Sequence, residues 1–182
     1  MIPRNLYDSD HEMFRDSVRK FIEVEAMPHH DQWEKDGMVS DEVWLKAGEQ
    51  GFLGLAVPEE FGGVNADFRY NCILNEEIAR SGCTGLGWTL HNDISVPYIV
   101  RYGSDFQKKK YLPRCASGEL ITAIAMTEPA AGSDLQGTKT TAVLDGDHYI
   151  LNGSKTFITN GQKAGLVIVV AKTDTTAGSK GI

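Results

Sequence analysis

The spacing of apolar residues changes once along this chain, near Gly118, and the change restricts the folds that the chain can adopt. Before Gly118, apolar side chains recur at intervals of three and four residues, as they do in amphipathic helices. After it, short apolar or β-branched runs are separated by Asp-Gly and Asn-Gly pairs, as in strands joined by tight turns. We therefore predict an α+β chain, with an all-α helical domain at 1–119 followed by a partial antiparallel β-barrel domain at 120–182.

Five helices are predicted in the first domain. They run from Ser9 to Pro28, from Ser40 to Gly51, from Asp67 to Arg80, from Leu86 to Tyr102 and from Ser104 to Gly118. The pairs Ser9 with Glu12 and Ser104 with Gln107 indicate capping boxes at the starts of two of these helices. Pro97 is expected to kink or divide the fourth helix, because proline lacks the N–H group that a helix interior needs.

The second domain is predicted to be a meander of short strands. The strand-like runs are 120–126, 138–142 and 166–171, and the turn pairs are Asp145-Gly146, Asn152-Gly153 and Asn160-Gly161. Pairs of this kind favour the tight turns that join antiparallel strands. We therefore expect an incomplete antiparallel meander or barrel, because the chain stops at Gly181-Ile182, where a further strand is expected to start.

Charge and cysteine content exclude some classes of partner. With 25 acidic and 18 basic residues the net charge is −7, which argues against a nucleic-acid partner. The dense basic run 108–110 is typical of a solvated helix face, with a phosphate-rich ligand as the less favoured alternative. Cys72, Cys83 and Cys115 lack the spacing of zinc ligands and predict free thiols in a reducing compartment.

The chain shows no targeting or membrane signal. No apolar run approaches membrane-spanning length, so no membrane span is expected. The N-terminus becomes polar and acidic within a few residues and resembles neither a secretory signal nor a transit peptide. We therefore expect a cytoplasmic protein, or a protein of the mitochondrial matrix if a transit peptide has been removed.

The segment richest in chemical information is the loop at 125–137, Ala-Met-Thr-Glu-Pro-Ala-Ala-Gly-Ser-Asp-Leu-Gln-Gly. Its small residues at 130–132 allow a ligand to approach the backbone closely, and Thr127 and Ser133 supply hydroxyl groups. From the residues alone, an ordinary turn with Pro129 and an Asp134 cap is an equally weighted interpretation. The chain has neither GxGxxG nor GxxxxGK[ST], so no Rossmann or P-loop nucleotide site is expected.

A resemblance separates these interpretations. The segment MTEPAAGSDLQG resembles the first signature of the acyl-CoA dehydrogenase family. Five further stretches resemble segments of the same family in the same order, so the resemblance covers nearly all 182 residues: RKFIEVEAMPHHDQWEKDG, VWLKAGEQGFLGL, PEEFGG, KKYLPRCASGE and ILNGSKTFITNG. The first and last of these segments are most similar to the long-chain branch of the family.

The resemblance implies that FAD lies on the β domain. The implied cofactor-binding residues are Ile124, Ala125, Met126, Thr127, Gly132, Ser133, Phe157, Ile158 and Thr159. It places Thr127 near the pyrimidine edge of the flavin, Ser133 near the pyrophosphate, and Thr159 near the flavin N5 and O4. Ser133 is also implied to contact the acyl-CoA substrate. Phe157 stands where many relatives have a tryptophan, so it keeps an apolar face but cannot donate the indole hydrogen bond.

The resemblance also implies an activity, the α,β-dehydrogenation of acyl-CoA thioesters with electron-transferring flavoprotein as the electron acceptor. The family's base is a glutamate on a C-terminal helical domain to which no residue here corresponds, so we assign no catalytic residue. We expect the isolated chain to be inactive. The full-length protein is expected to be a homo-oligomer, as is common in the family.

Four further ionisable residues are candidates for special roles. Glu77 is unusual, because it lies within the apolar stripe of the third helix. For Glu76 and Glu77 we favour ion pairing over catalysis, although Glu77 at the far end of the acyl pocket is an alternative. His91 is interpreted as a core or surface histidine, and Glu128 is expected to orient the 125–137 loop.

Two alternatives stay open from the sequence. One is a non-catalytic truncated product that acts as an interaction module through an exposed sheet edge, which a longer reading frame would exclude. The other is a related acyl-CoA oxidase or flavin monooxygenase of the same architecture, which would be recognised by rapid reaction of its reduced flavin with oxygen.

Overall fold

The chain divides between Ile121 and Thr122 into a helical unit and a β unit. The computed structural model describes residues 5–182. In the described part of the first unit all regular structure is helical, whereas the second unit holds the strands. The order and type of the two units confirm the predicted α+β fold class.

The helical unit contains six α-helices in its described residues. They are α1 (Ser9–Phe21), α2 (Met27–Asp36), α3 (Asp41–Glu49), α4 (Phe68–Ser81), α5 (Val96–Tyr102) and α6 (Asp105–Ala116). Two wider π-helical segments, Ile22–Ala26 and Leu90–Ser95, lead into α2 and α5. Short 3-10 turns at Glu59–Phe61 and Thr84–Leu86 complete this unit. Among the residues described, no helix has both the length and the apolar character needed to cross a membrane.

The first helix begins at Ser9 as predicted, but its predicted capping box and its predicted end are wrong. The N-cap is Asp8, one residue earlier, and its carboxylate accepts the backbone N–H groups of Asp10 and His11 at 3.1 and 3.2 Å. His11, rather than a glutamate, closes the capping box. Pro28 does not end the helix, because it lies in the first turn of α2, a position that tolerates proline. The π-helical segment Ile22–Ala26 precedes it, and the chain stays helical as far as Asp36.

Other local signals are confirmed. The Ser40 hydroxyl accepts the N–H of Val43 and begins α3. At α6 the Ser104 hydroxyl accepts the N–H of Gln107, and the Gln107 side chain accepts the N–H of Ser104, which forms the expected capping box. Pro97 divides its helix, because it lies in the first turn of α5 directly after the second π-helical segment.

Two tryptophans lie at the centre of the helical unit. Trp44 on α3 and Trp88 are almost fully buried, and their rings meet edge to face at 6.3 Å and 78°. Phe52 lies in the same apolar cluster and meets the ring of Phe14 on α1 at 5.6 Å. Gly118 is required here, since a Cβ atom on it would lie 2.2 Å from the carbonyl oxygen of Trp44. Removal of this large apolar surface from water is the main stabilising contribution to the unit.

The β unit contains four short strands in two pairs. They are β1 (Thr122–Ala125), β2 (Thr141–Asp145), β3 (His148–Asn152) and β4 (Leu166–Val169). The strands β2 and β3 form an antiparallel hairpin around a two-residue loop at Gly146-Asp147, as the Asp-Gly signal predicted. By contrast, β1 and β4 pair in parallel, from Thr122 with Leu166 to Ala125 with Val169.

The purely antiparallel meander expected from the sequence is therefore wrong for the β1–β4 pair. Forty residues separate Ala125 from Leu166 and allow the chain to return so that β4 runs in the same direction as β1. Residues after β4 join the two pairs, because Lys172 donates its N–H to Thr140 and accepts the N–H of Ala142, both at 2.8 Å.

Candidate functional site

The loop that follows β1 is closed by a tight turn. Glu128 donates its N–H to the carbonyl of Ala131 at 2.8 Å and accepts the N–H of Ala131 at 3.1 Å. Pro129 and Ala130 form the tip of this turn, so one part of the turn interpretation is correct. The other part is not, because the side chain of Asp134 does not cap the short 3-10 turn that follows it.

Glu128 holds this loop against two other segments of the β unit. Its carboxylate accepts the backbone N–H of Lys139 at 2.7 Å and that of Thr140 at 3.0 Å. The Lys155 ammonium group donates to the same carboxylate at 2.8 Å. Both partners of this ion pair are largely buried, with side chains 4% and 12% exposed for Glu128 and Lys155. The expectation that Glu128 orients the loop is thus confirmed.

The environment keeps Glu128 ionised. Burial by itself raises the pKa of this carboxyl. The hydrogen bonds from Lys155, Thr140 and Lys139 lower the pKa by more than burial raises it, so that the pKa is about 2. A carboxylate with such donors stays charged throughout the neutral range. Glu128 is therefore a fixed anion that organises its neighbours.

Lys155 connects the loop to the segment at 155–160. Besides its bond to Glu128, its ammonium group donates to the carbonyl of Met126 at 2.9 Å. The next residue, Thr156, donates its backbone N–H to the carbonyl of Thr127 at 3.0 Å. Two segments that are almost thirty residues apart in sequence are therefore held side by side by three hydrogen bonds.

The segment then turns sharply at Phe157 and Asn160. Both have left-handed backbone conformations, with φ of 56° and 63°. Asn160 accepts the N–H groups of Lys163 and Ala164 on its carbonyl, and its side chain donates to the Thr122 carbonyl at 3.2 Å. The predicted Asn160-Gly161 turn is confirmed, and it anchors the segment to β1.

The nine residues implied by the family resemblance occupy three places in the β unit. Two of them, Ile124 and Ala125, lie buried on β1, while Met126 and Thr127 are half-buried just after it. Gly132 and Ser133 are exposed beyond the tight turn, and open space surrounds the Cβ position of Gly132. In the third place, Phe157 and Thr159 are exposed and Ile158 is half-buried. The bonds described above bring the first and third places together but do not include Ser133.

These residues suit a flat ligand with an apolar ring and polar edges. Phe157 is 92% exposed, although its side chain is large and apolar, and its backbone adopts a conformation that non-glycine residues rarely use. Strained backbone of this kind clusters at ligand sites. Thr159 lies two residues after Phe157, and Thr127 belongs to the segment that is bonded to Thr156. The hydroxyl groups of both threonines can offer hydrogen bonds to the polar edge of such a ligand.

Sequence reasoning missed Lys155 and the side chain of Asn160. The sequence did contain one signal, namely that a single glutamate lies in an otherwise neutral stretch at 125–133 and needs a cation or several N–H donors if it is buried. The identity of the cation is fixed by the fold, because Lys155 lies 27 positions after Glu128 in the sequence.

The other carboxylate singled out by the sequence, Glu77, belongs to an ion-pair cluster. Its side chain is 2% exposed and accepts bonds from Arg15 at 3.2 Å, Arg19 at 3.0 Å and Arg80 at 2.6 Å. Burial raises its pKa, and the three arginines lower it to about 2. Glu76 also pairs with Arg15, at 2.8 Å. The preference for ion pairing at both positions is confirmed.

His91 is a core histidine, as one of the predictions stated. It is fully buried, its Nε2 lies 3.1 Å from the carbonyl oxygen of Cys115, and its ring meets that of Trp44 at 5.4 Å. Burial lowers the pKa of His91 to about 4, so the ring is neutral near pH 7. It serves packing and hydrogen bonding within the helical unit.

Comparison with known proteins assigns the chain to a family. The model of the acyl-CoA dehydrogenase N-terminal domain matches residues 8–119, and that of the acyl-CoA dehydrogenase middle domain matches residues 123–182. The long-chain specific mitochondrial acyl-CoA dehydrogenase of Sus scrofa is 53% identical over 176 residues, which are 97% of this chain and 41% of that protein.

Solved structures agree with this assignment. The acyl-CoA dehydrogenase of Geobacillus kaustophilus superimposes with a TM-score of 0.94 at 53% identity, over 98% of this chain and 48% of that one. The Bacillus anthracis acyl-CoA dehydrogenase complexed with FAD gives a TM-score of 0.84 at 38% identity, over 95% of this chain and 31% of that one. The chain spans less than half the length of each of these relatives. On the strength of both family matches and these likenesses, the chain belongs to the acyl-CoA dehydrogenase family.

Proposed function

We propose that this chain carries the flavin-binding part of an enzyme that dehydrogenates acyl-CoA thioesters between the α and β carbons. The observation that carries the proposal is the set of bonds from Lys155 and Thr156 to Met126, Thr127 and Glu128. These bonds hold together two of the segments that the family resemblance assigns to the flavin. The FAD complex of the Bacillus anthracis relative supports the choice of cofactor.

The proposed cofactor-binding residues are those implied by the sequence. They are Ile124, Ala125, Met126, Thr127, Gly132, Ser133, Phe157, Ile158 and Thr159. Thr127, Ser133 and Thr159 would hold the polar edges of FAD through their hydroxyl groups, and Phe157 would cover an apolar face. When bound, FAD supplies the acceptor for the β-hydrogen as a hydride.

Neither Glu77 nor Glu128 suits the role of the base that removes the α-proton. An efficient general base has a pKa near the working pH. The pKa values of Glu77 and Glu128 are both about 2, and cations occupy both carboxylates. We therefore assign the base to the part of the family's length that this chain does not span, and we expect the chain alone to be inactive.

The substrate and partners follow from the same proposal. Ser133 is exposed, which suits its proposed contact with the acyl-CoA substrate. Electron-transferring flavoprotein is the proposed electron acceptor, and the full-length protein is proposed to be a homo-oligomer. The Sus scrofa relative is named as mitochondrial, which favours the matrix over the cytoplasm as the site of action.

Titration of the purified chain with FAD tests the proposal. We expect saturable binding of one FAD per chain with a Kd on the order of 1 μM, followed by flavin absorbance and fluorescence. A Thr127→Val variant should weaken binding, whereas Thr141→Val, a similarly half-buried threonine on β2, should not. Absence of saturable binding, or equal effects of the two variants, would contradict a flavin site at Thr127. Rapid reoxidation of the reduced flavin by oxygen would favour an oxidase or monooxygenase instead.

A further inference from the structure

Lys155 reaches further into the β unit than a lysine normally does. Its side chain is only 12% exposed, and its ammonium group lies between the Glu128 carboxylate at 2.8 Å and the Met126 carbonyl at 2.9 Å. Lysine is rarely buried unless it is paired, because an ammonium group loses its hydration on burial. The Lys155 ammonium group therefore loses hydration in the folded chain, and its two hydrogen bonds offset that loss.

We propose that Lys155 is a positioning residue that fixes the loop at 126–133 at a set distance from the turn at 157–159, so that the two segments hold a flavin between them. The inference rests on the function proposed above. We call the pair of Glu128 and Lys155, with its bond to Met126, the latch.

The position of the latch supports this role. Lys155 lies two residues before Phe157, and Glu128 lies one residue after Thr127. One carboxylate oxygen of Glu128 accepts both Lys155 and the backbone of Thr140, and the other accepts the backbone of Lys139. Glu128 would thus stay bound to 139–140 without Lys155, but its hold on the 155–160 segment would be lost. Loss of the latch should therefore change the spacing of the two segments while the β unit stays folded.

Backbone bonds alone do not replace the latch. Without the latch, the Thr156 N–H still donates to the Thr127 carbonyl, and the Asn160 side chain still donates to the Thr122 carbonyl on β1. A single hydrogen bond of this kind contributes little against the entropy of two loops. We expect the loops to separate more often, which would expose the Thr156 amide to solvent.

The test compares Lys155→Met with Lys155→Arg and Lys180→Met. Methionine keeps the apolar stem of lysine but makes neither bond, whereas arginine keeps the charge and the donors. Lys180 is an exposed lysine of the same unit, so Lys180→Met removes the same charge away from the latch. The first readout is hydrogen exchange of the Thr156 amide without flavin, and the second is the Kd for FAD.

We expect Lys155→Met to speed exchange of the Thr156 amide at least tenfold and to raise the Kd for FAD about tenfold or more. Arg at the same position should restore part of both, and Lys180→Met should change neither. A change in the Kd without faster amide exchange would contradict positioning and indicate direct contact with FAD. Faster exchange with an unchanged Kd would also overturn the proposal.

The two proposals fail in different ways. If the unmodified chain binds no FAD, the flavin site proposed above falls, and with it the flavin part of this inference. Amide exchange needs no flavin, so it still decides whether Lys155 fixes the spacing of the two loops. Equal protection of the Thr156 amide in the unmodified chain and in Lys155→Met would overturn the latch itself.

Discussion

The helical unit and the β unit each bury one carboxylate, and the two are charged for different reasons. Glu77 in the helical unit accepts bonds from three arginine side chains of α1 and α4. Glu128 in the β unit accepts one lysine and two backbone N–H groups. Both have a pKa of about 2. Similar burial and similar pKa therefore do not imply similar roles.

The difference lies in which structures the donors belong to. The arginines that bind Glu77 come from two helices that already pack together, so the cluster fixes how α1 lies against α4. The backbone donors to Glu128 belong to a segment without regular structure, so this carboxylate gives the segment its shape. Loss of Glu77 should thus weaken a whole unit, whereas loss of Glu128 should disturb a local site.

Replacement of Glu77 should have the largest effect. In Glu77→Ala, Arg15, Arg19 and Arg80 lose the buried carboxylate that they share, and Arg15 stays mostly buried with Glu76 as its nearest acidic partner. Breaking a buried pair costs about 3–5 kcal/mol, and the exposure of Arg19 (38%) and Arg80 (45%) places the expected loss near the lower value. Urea unfolding followed by tryptophan fluorescence measures it, since all three tryptophans lie in the helical unit.

The matched control for this prediction is Glu76→Ala. Glu76 is the neighbouring carboxylate and also binds Arg15, but its side chain is 35% exposed. Because the Glu76 side chain keeps access to water, its ion pair with Arg15 should contribute only about 1 kcal/mol, and this variant should remain close to the unmodified chain. Similar losses in both variants would show that the burial of Glu77 has no special importance.

Lowering the pH should weaken the helical unit before either buried carboxylate titrates. The pKa of His91 is about 4 in the folded state, against 6.5 for an ordinary histidine. Between these values the unfolded chain binds a proton that the folded chain does not, so stability of the helical unit falls as the pH is lowered from 6.5 to 4. The contribution is on the order of 3 kcal/mol. The carboxylates act later, because the stability that they contribute is complete above pH 4.5 and is lost as the pH falls toward 2.

A His91→Gln variant isolates this effect. Glutamine retains an N–H donor for the Cys115 carbonyl but does not titrate. The Cys115 thiol does not interfere, since burial raises its pKa to about 12. We expect urea midpoints from tryptophan fluorescence to depend less on pH in the variant than in the unmodified chain between pH 6.5 and 4. Parallel pH curves for the two proteins would refute the assignment to His91.

Loss of the Glu128 charge should have a smaller and more local effect. In Glu128→Gln the amide oxygen can still accept a backbone N–H, but the amide nitrogen cannot accept the Lys139 N–H, and the charge pair with Lys155 is gone. We expect a loss of about 2 kcal/mol confined to the β unit. Amide exchange of Lys139 and Thr140 should increase while tryptophan fluorescence stays unchanged. Asp147→Asn, at a fully exposed carboxylate of the same unit, serves as the control.

The features that could be predicted from the sequence are largely those that depend on residues close together in the chain, such as helix caps and the effects of proline. The helix start at Ser40 and the capping box at Ser104 depend on residues within one helical turn, and both are confirmed. The division at Pro97 follows from the proline ring itself. Pro28 was misinterpreted because the same rule also admits proline in a first helical turn, and the local sequence does not distinguish an ending helix from a starting one.

What could not be predicted depends on contacts between distant residues. The parallel pairing of β1 with β4 joins Thr122 to Leu166, and period-two patterning carries no information on strand direction. The partner of Glu128 was likewise not accessible, although its role in orienting the loop was. The nine flavin residues came from the family resemblance rather than from spacing, and their roles stay predictions.

The smallest expected effect concerns left-handed backbone in the two units. Phe157 in the β unit and Asn65 in the helical unit both have positive φ, 56° and 50°. Asparagine tolerates this conformation, whereas for phenylalanine it costs about 1–2 kcal/mol. Glycine avoids that cost, but the greater entropy of its unfolded chain offsets part of the gain in stability. Because Phe157 is 92% exposed, Phe157→Gly removes little packing and should stabilise the β unit by about 0.5–1 kcal/mol. Asn65→Gly should change stability little, and only Phe157→Gly should weaken FAD binding. Thermal unfolding followed by circular dichroism measures the stability of both variants. A clear loss of stability in Phe157→Gly would show that the Phe157 ring packs within the β unit and is not free to contact a ligand.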